Sequence, residues 1–85
     1  MSVPAPSPVA RELFARHARK DGRSVAVLRA LETDGNYFVE AEVFPLYGEP
    51  VRLGPHSLAY GREATAFVTE AVEALLYLGC DVRAE

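Results

Sequence analysis

The chain has 85 residues, one cysteine and a formal net charge of −3 at pH 7. This length suits a single domain, and a lone cysteine excludes a disulfide within the chain and is typical of a reducing compartment. No apolar run approaches the ~20 residues that a spanning helix needs, and the first residues lack the pattern of a signal peptide. We therefore predict a cytoplasmic protein with no membrane partner.

The charge is unevenly distributed along the chain. Residues 1–23 contain five basic and two acidic side chains, whereas residues 24–85 contain four basic and ten acidic ones. One interpretation is that a basic element lies beside an acidic body and the two fields cancel. The other is a basic face that binds nucleic acid or another acidic partner.

The N-terminal region predicts a tail followed by a helix. Residues 1–6 are rich in Pro, Ala and Ser and are expected to fray. Ser7 followed by Pro8 is a helix-start signal, and the helix should run to about Lys20, where Asp21-Gly22 ends it. Ala10, Leu13, Phe14, His17 and Ala18 would share its apolar face. The basic face would consist of Arg16, Arg19, Lys20 and Arg23.

The next segment predicts a β-hairpin. Residues 24–32 and 37–44 have strand composition, and Asp34-Gly35 between them is typical of a two-residue type I′ turn. This turn places Glu32 opposite Tyr37, and each step outward changes the face. One face then consists of small and medium apolar residues: Ala26, Leu28, Ala30, Val39, Ala41 and Val43. On the other face Arg29 should lie opposite Glu40.

A short third strand and a long helix follow. Residues 51–53 predict the strand, and Gly54-Pro55 should break it. Residues 62–78 have apolar positions at i, i+3, i+4 and i+7, the pattern of a helix packed on a larger element. The stripe consists of Ala64, Phe67, Val68, Ala71, Val72, Leu75 and Leu76. Gly61 is a candidate N-cap, and Gly79 suits a left-handed stop. Residues 80–85 are a tail or a short edge strand.

These elements predict an α+β domain over residues 7–85 with two layers. The order is helix, three antiparallel strands and helix (α-β-β-β-α), with both helices on the apolar sheet face. This order resembles that of the double-stranded RNA-binding domain over nearly the whole chain. That family contacts phosphates through a lysine cluster at the start of its last helix, where this chain has Gly61-Arg62-Glu63-Ala64-Thr65. The resemblance is one of element order only, and element order does not carry function.

No constellation of residues predicts catalysis or a cofactor. His17, His56 and Cys80 are too far apart for metal-ligand spacing, and Cys80 is expected to be a small buried hydrophobe. No nucleophile-elbow or phosphate-loop pattern is present. Glu40 and Glu42 share a strand face, but this alternation is common on a solvated strand. We therefore predict a protein that is not an enzyme and needs no metal or other cofactor.

The helix-free sheet face remains as the candidate site. Two helices on one side cannot cover it, and an exposed apolar patch usually marks a contact surface. The predicted interface consists of Val25, Val27, Arg29, Leu31, Phe38, Glu40, Glu42 and Phe44. Another segment folding over this face is the alternative. We predict a small interaction or regulatory module with a protein partner or a second copy of itself. The second hypothesis is nucleic-acid binding through the basic first helix, Arg11 to Arg23, which the acidic remainder of the chain disfavours.

Overall fold

The computed structural model of the chain describes residues 11–84, so the expected N-terminal tail and the proposed helix start at Ser7 lie outside the described residues. The elements in chain order are β1 (Arg11–Lys20), β2 (Arg23–Thr33), β3 (Asn36–Val43), β4 (Val51–Leu58), α1 (Gly61–Tyr77) and β5 (Asp81–Ala84).

All five strands form one antiparallel sheet in the order β4-β3-β2-β1-β5. The first four strands follow one another as a meander. Helix α1 then crosses back over one face of the sheet, so that β5 pairs with β1 at the far edge. The predicted α-β-β-β-α order is therefore wrong, because the described chain contains five strands and one helix. The structure has a single helix, α1, on one face of a five-stranded sheet in place of two helices on three strands.

The first element is a strand and not the predicted helix. Its partner β2 is apolar on both faces, with Val27, Leu28 and Ala30 all buried. A strand of this kind sits in the middle of a sheet and needs a neighbour on each side, because unpaired backbone groups are costly once buried. Asp21 and Gly22 have φ of 53° and 75°, so they form a tight hairpin turn between β1 and β2 and do not end a helix. Strand pairing thus overrides the local helical pattern.

The central hairpin has the predicted register. Thr33 pairs with Asn36, Glu32 with Tyr37 and Arg29 with Glu40. Asp34 and Gly35 have φ of 50° and 78°, and positive φ at both central positions is what a type I′ turn requires. The prediction from the Asp-Gly dipeptide is confirmed, and with it the assignment of each side chain to a face.

Strand β4 continues through Gly54-Pro55, where the sequence predicts a break. The strand accommodates the dipeptide with an irregularity between the pairs Val39–His56 and Ala41–Leu53. A Cβ at Gly54 would lie 2.8 Å from the carbonyl oxygen of Val39, so only glycine allows this close approach. Pro55 offers no N–H at the sheet edge, which makes β4 a poor template for pairing with another strand.

Helix α1 has the predicted position. Gly79, which follows the end of the helix, has the expected left-handed conformation, with φ of 89°. The N-cap is Tyr60 and not Gly61. Ala64 and Val68 are buried on the sheet, whereas Phe67 and Leu76 are exposed to 44% and 53%. Fewer residues of the apolar stripe are therefore buried than predicted, because a single helix on a five-stranded sheet has both of its sides exposed. Within residues 11–84, no helix is long and apolar enough to cross a membrane.

The core under the helix is built from small side chains in two clusters. The larger one consists of Leu28, Ala30, Val39, Ala64 and Val68. The smaller one consists of Ala18, Ala26 and Cys80, with Val82 of β5 packed against it. Cys80 is buried, as predicted. Leu75 contacts both clusters, so the end of the helix ties the centre of the sheet to its β5 edge.

Candidate functional site

The candidate site is the sheet face opposite α1, called here the open face. The strand register defines its rows: Phe38 lies between Leu31 and Ser57, Glu40 lies beside Arg29, and Glu42 lies between Val27 and Arg52. The row of Glu42 continues through Val27 to His17 and on to Arg83. The five strands thus bring together side chains that are as much as 66 residues apart in sequence, as His17 and Arg83 are.

Most of the predicted interface lies on this face, with one clear exception. Val25 has no partner in the β1–β2 pairing, which moves from Ala18–Ala26 to Arg19–Ser24. This bulge turns the side chain of Val25 away from its expected neighbours. Val25 packs instead against the cluster of Ala18, Ala26 and Cys80. An extra residue in a strand shifts its side chains locally by one face, and the sequence contains no signal that identifies its position.

The apolar side chains of the open face are less exposed than a bare patch would be. Val27 is only 5% exposed and Ala15 only 2%, while Leu31, Phe38 and Phe44 are half-buried. The open face therefore presents a mixed surface, with apolar side chains between charged ones.

Ion pairs organise the charged side chains of this surface. Arg29 Nε lies 3.5 Å from Glu12 Oε1, and Arg29 Nη1 lies 3.9 Å from Glu40 Oε1. Arg52 Nη2 lies 3.7 Å from Glu42 Oε2. The predicted pairing of Arg29 with Glu40 is confirmed, and Glu12 joins it because β1 is a strand. Cationic neighbours of this kind hold both Glu40 and Glu42 in place as surface charges.

The predicted basic residues do not share one face. Arg16 lies on the helix side, with its guanidinium 5.4 Å from the ring centre of Phe14, whereas Arg19 lies in an open-face row. Lys20 Nζ donates to the carbonyl of Leu78 at 3.0 Å, and Arg23 Nη1 donates to that of Phe44 at 3.0 Å. The hypothesis of a basic first helix is therefore wrong: the element is a strand, and alternate side chains point to opposite faces.

The residues with metal-binding or nucleophilic side chains are dispersed over the described part of the chain. Among residues 11–84 no cluster of three or more His, Cys, Asp or Glu side chains could hold a metal ion. His17 Nε2 lies 2.9 Å from Ser24 Oγ, and this pair is part-buried between neighbouring strands. His17 is thus on a sheet face and not on the apolar helix face where the sequence places it.

An apolar groove runs beside α1 on the other side of the sheet. One helix is about 10 Å wide and cannot cover five strands spaced about 4.8 Å apart. The uncovered part over β3 and β4 has a volume of about 290 Å³, and its lining includes Leu53, Phe67, Ala71 and Leu75, with His56 at the strand edge. Sequence analysis misses this groove because it assumes two helices on this face.

Comparisons of this chain with models of protein families, with curated proteins and with solved structures found no match in any of the three. The surfaces of the molecule are therefore the basis of the functional proposal.

Proposed function

We propose that the protein is a small non-catalytic interaction module that associates with a second copy of itself through the open face. The observation that carries the proposal is the single-sided sheet, with α1 on one face and the apolar and charged rows of the open face on the other. The cytoplasm is the proposed location, since the one cysteine, Cys80, is free and buried and nothing in the fold depends on a disulfide.

The size of the open face supports a dimer. Five strands about 4.8 Å apart and about eight residues long span about 24 Å by 27 Å, or some 650 Å² in projection. Side-chain relief raises the accessible area above this value. A stable interface of standard size buries roughly 800 Å² on each partner, so two open faces stacked on each other have sufficient area.

The distribution of charge across the strands supports the same arrangement. A two-fold axis parallel to the strands and between β1 and β2 would stack β3 of one copy on β5 of the other. Glu42 of β3 and Arg83 of β5 lie in one row, so Glu42 of each copy would face Arg83 of the second copy, and Arg52 at the β4 edge would lie outside the stack. Leu31 would lie near the axis, where self-contact of apolar residues is favourable.

Sedimentation velocity at micromolar concentrations tests the proposal. We expect the unmodified protein to sediment as a dimer and Phe38→Glu to sediment as a monomer, because the new carboxylate would be buried without a partner. Phe67→Glu makes the same change on the opposite side of the molecule and should leave the dimer intact. Circular dichroism of each variant confirms that it is folded. A monomer for the unmodified protein would refute the proposal.

A charge exchange tests the arrangement of the two copies. Glu42→Arg and Arg83→Glu should each weaken the dimer, because like charges then face each other across the interface. The double variant restores opposite charges and should recover most of the affinity. Equal dissociation of the double variant and the single variants would contradict the two-fold axis between β1 and β2.

A further inference from the structure

One end of the molecule exposes its largest apolar side chains. The apolar end consists of Leu46, Tyr47, Leu76, Tyr77 and Leu78. Tyr77 is 92% exposed, Tyr47 87%, Leu46 67% and Leu78 62%, and these are the four most exposed large apolar residues among those described. Such side chains are costly to leave in water, and a group of them on a soluble domain usually marks a contact surface.

The topology brings two separate segments to this end. β3 leaves the sheet at Val43, which pairs with Ala26 close to the β1–β2 turn, and the loop that follows contains Leu46 and Tyr47. Helix α1 ends at Tyr77, and the chain then enters β5, which pairs with the end of β1. Both segments therefore lie next to the turn at Asp21-Gly22.

Two cations beside that turn hold the segments in place. Lys20 Nζ donates a hydrogen bond of 3.0 Å to the Leu78 carbonyl. Arg23 Nη1 donates to the carbonyls of Phe44 and Pro45 at 3.0 Å and 3.5 Å. The exposed tyrosines and leucines are thus presented from anchored backbone on both sides of one hairpin, and their exposure is a fixed feature of the surface.

The size and the charge of this end favour a lipid surface over a protein partner. Five projecting side chains are far fewer than the roughly 20–30 residues that a stable protein interface uses on each side. A surface on which Tyr and Leu lie beside Arg and Lys has the composition of a membrane-interface contact. The segments that form this end contain four basic side chains (Arg19, Lys20, Arg23 and Arg83, whose Nε lies 3.1 Å from Asp81 Oδ2) and three acidic ones (Asp21, Glu49, Asp81), so it is positive by one charge on a chain of net charge −3.

We infer that the apolar end binds peripherally to an anionic lipid bilayer, with Tyr47 and Tyr77 inserted at the level of the headgroups. The expectation of no membrane partner came from the lack of a spanning segment, which does not bear on a contact at the bilayer surface. In the proposed dimer the open faces are stacked and Arg83 faces Glu42 of the second copy, whereas Leu46, Tyr47, Tyr77 and Leu78 of each copy stay accessible.

Co-sedimentation with vesicles tests the inference. The full chain should bind vesicles of phosphatidylcholine and phosphatidylserine at low salt, and bind vesicles of phosphatidylcholine alone more weakly. The double variant Tyr47→Ser/Tyr77→Ser should lose most of this binding. Tyr60→Ser is the matched control, since Tyr60 is 56% exposed at the opposite end of the molecule, and it should bind as the unmodified protein does.

A charge variant and a fluorescent probe give two further readouts. Arg19→Gln should weaken binding to the anionic vesicles about fivefold, since each basic side chain near such a surface contributes about 1 kcal/mol, and leave binding to neutral vesicles unchanged. The chain has no tryptophan, so Tyr47→Trp introduces a single probe. Its emission should shift to the blue on anionic vesicles, whereas that of Tyr60→Trp should not.

Three results would overturn the inference. The first is that the unmodified protein fails to sediment with anionic vesicles at low salt. The second is that Tyr60→Ser reduces binding as much as the double variant does. The third is that the double variant changes the sedimentation of the protein alone while no vesicle binding is detected, which would assign this end to a protein contact. Each of these outcomes is independent of whether Phe38→Glu dissociates the dimer.

Discussion

The two faces of the sheet are made by the same strands. They differ in that the side chains of one face are buried under the helix, whereas the charged side chains of the other form ion pairs. On the helix side the side chains are small, and Ala30 and Ala64 are both 0% exposed, so helix and sheet approach closely and the apolar surface is removed from water. On the open face the side chains are longer, and Arg29 bridges Glu12 and Glu40. This difference shows that one strand, whose side chains alternate between its two faces, can supply a core on one side and a contact surface on the other.

The largest contrast should appear between two adjacent residues of β2. Ala30→Asp places a carboxylate at a fully buried position of the core, which costs several kcal/mol against a total stability of about 4–13 kcal/mol for a domain of this size. We expect this variant to be unfolded by circular dichroism at room temperature. Leu31→Asp changes the neighbouring position on the open face and should stay folded while weakening the dimer. If Leu31→Asp were unfolded as well as Ala30→Asp, the open face would be covered as fully as the core.

A smaller contrast is expected between two adjacent leucines of α1. Leu75 packs against both core clusters, whereas Leu76 is 53% exposed. Leu75→Ala should lower the free energy of unfolding by about 2–3 kcal/mol, the low end of the range for core leucines because the side chain is only half-buried. Leu76→Ala should change it by less than about 0.5 kcal/mol. Chemical denaturation measures both, and equal shifts would show that the helix is rotated from the position described here.

The smallest effect should come from the ion pairs of the open face. Arg29→Ala removes the contacts with Glu12 and Glu40, and pairs of this exposure are worth about 0.2–1 kcal/mol each. The loss should shrink at high salt, because screening weakens surface charges. Arg62→Ala is a suitable control, since Arg62 lies over the Tyr60 ring at 4.8 Å on the helix side and has no role on the open face. A loss above about 3 kcal/mol for Arg29→Ala would show that the open face is itself part of the core.

Sequence analysis locates part of the site and not its full extent. The Asp34-Gly35 turn fixes which residues of β2 and β3 face away from the helix, so Arg29, Leu31, Phe38 and Glu40 are correctly assigned to one surface. The bulge at Val25 and the contribution of β1 to this surface could not be predicted. Both depend on the pairing of β1 with β2, and β1 has the composition of a helix when it is considered alone.

The Asp-Gly dipeptide occurs at two turns and illustrates why one could be predicted from the sequence and the other could not. Asp21-Gly22 and Asp34-Gly35 have almost the same φ angles, yet the first resembles a helix end because the residues before it have helical spacing. Only the second is flanked on both sides by strand-like residues. A turn signal is therefore informative when the segments that it joins are themselves unambiguous.

The sequence alone determined the central hairpin, its register and the long helix, because these depend on local signals: a turn with positive φ, the alternation of faces and a periodic apolar stripe. The tertiary structure decided the rest. β1 is a strand because β2 needs a second neighbour, β4 persists through Gly54-Pro55 because β3 supports its irregular pairing, and the short β5 exists because the edge of β1 was open. The open face and the apolar end follow from these pairings, since both consist of segments that are distant in sequence.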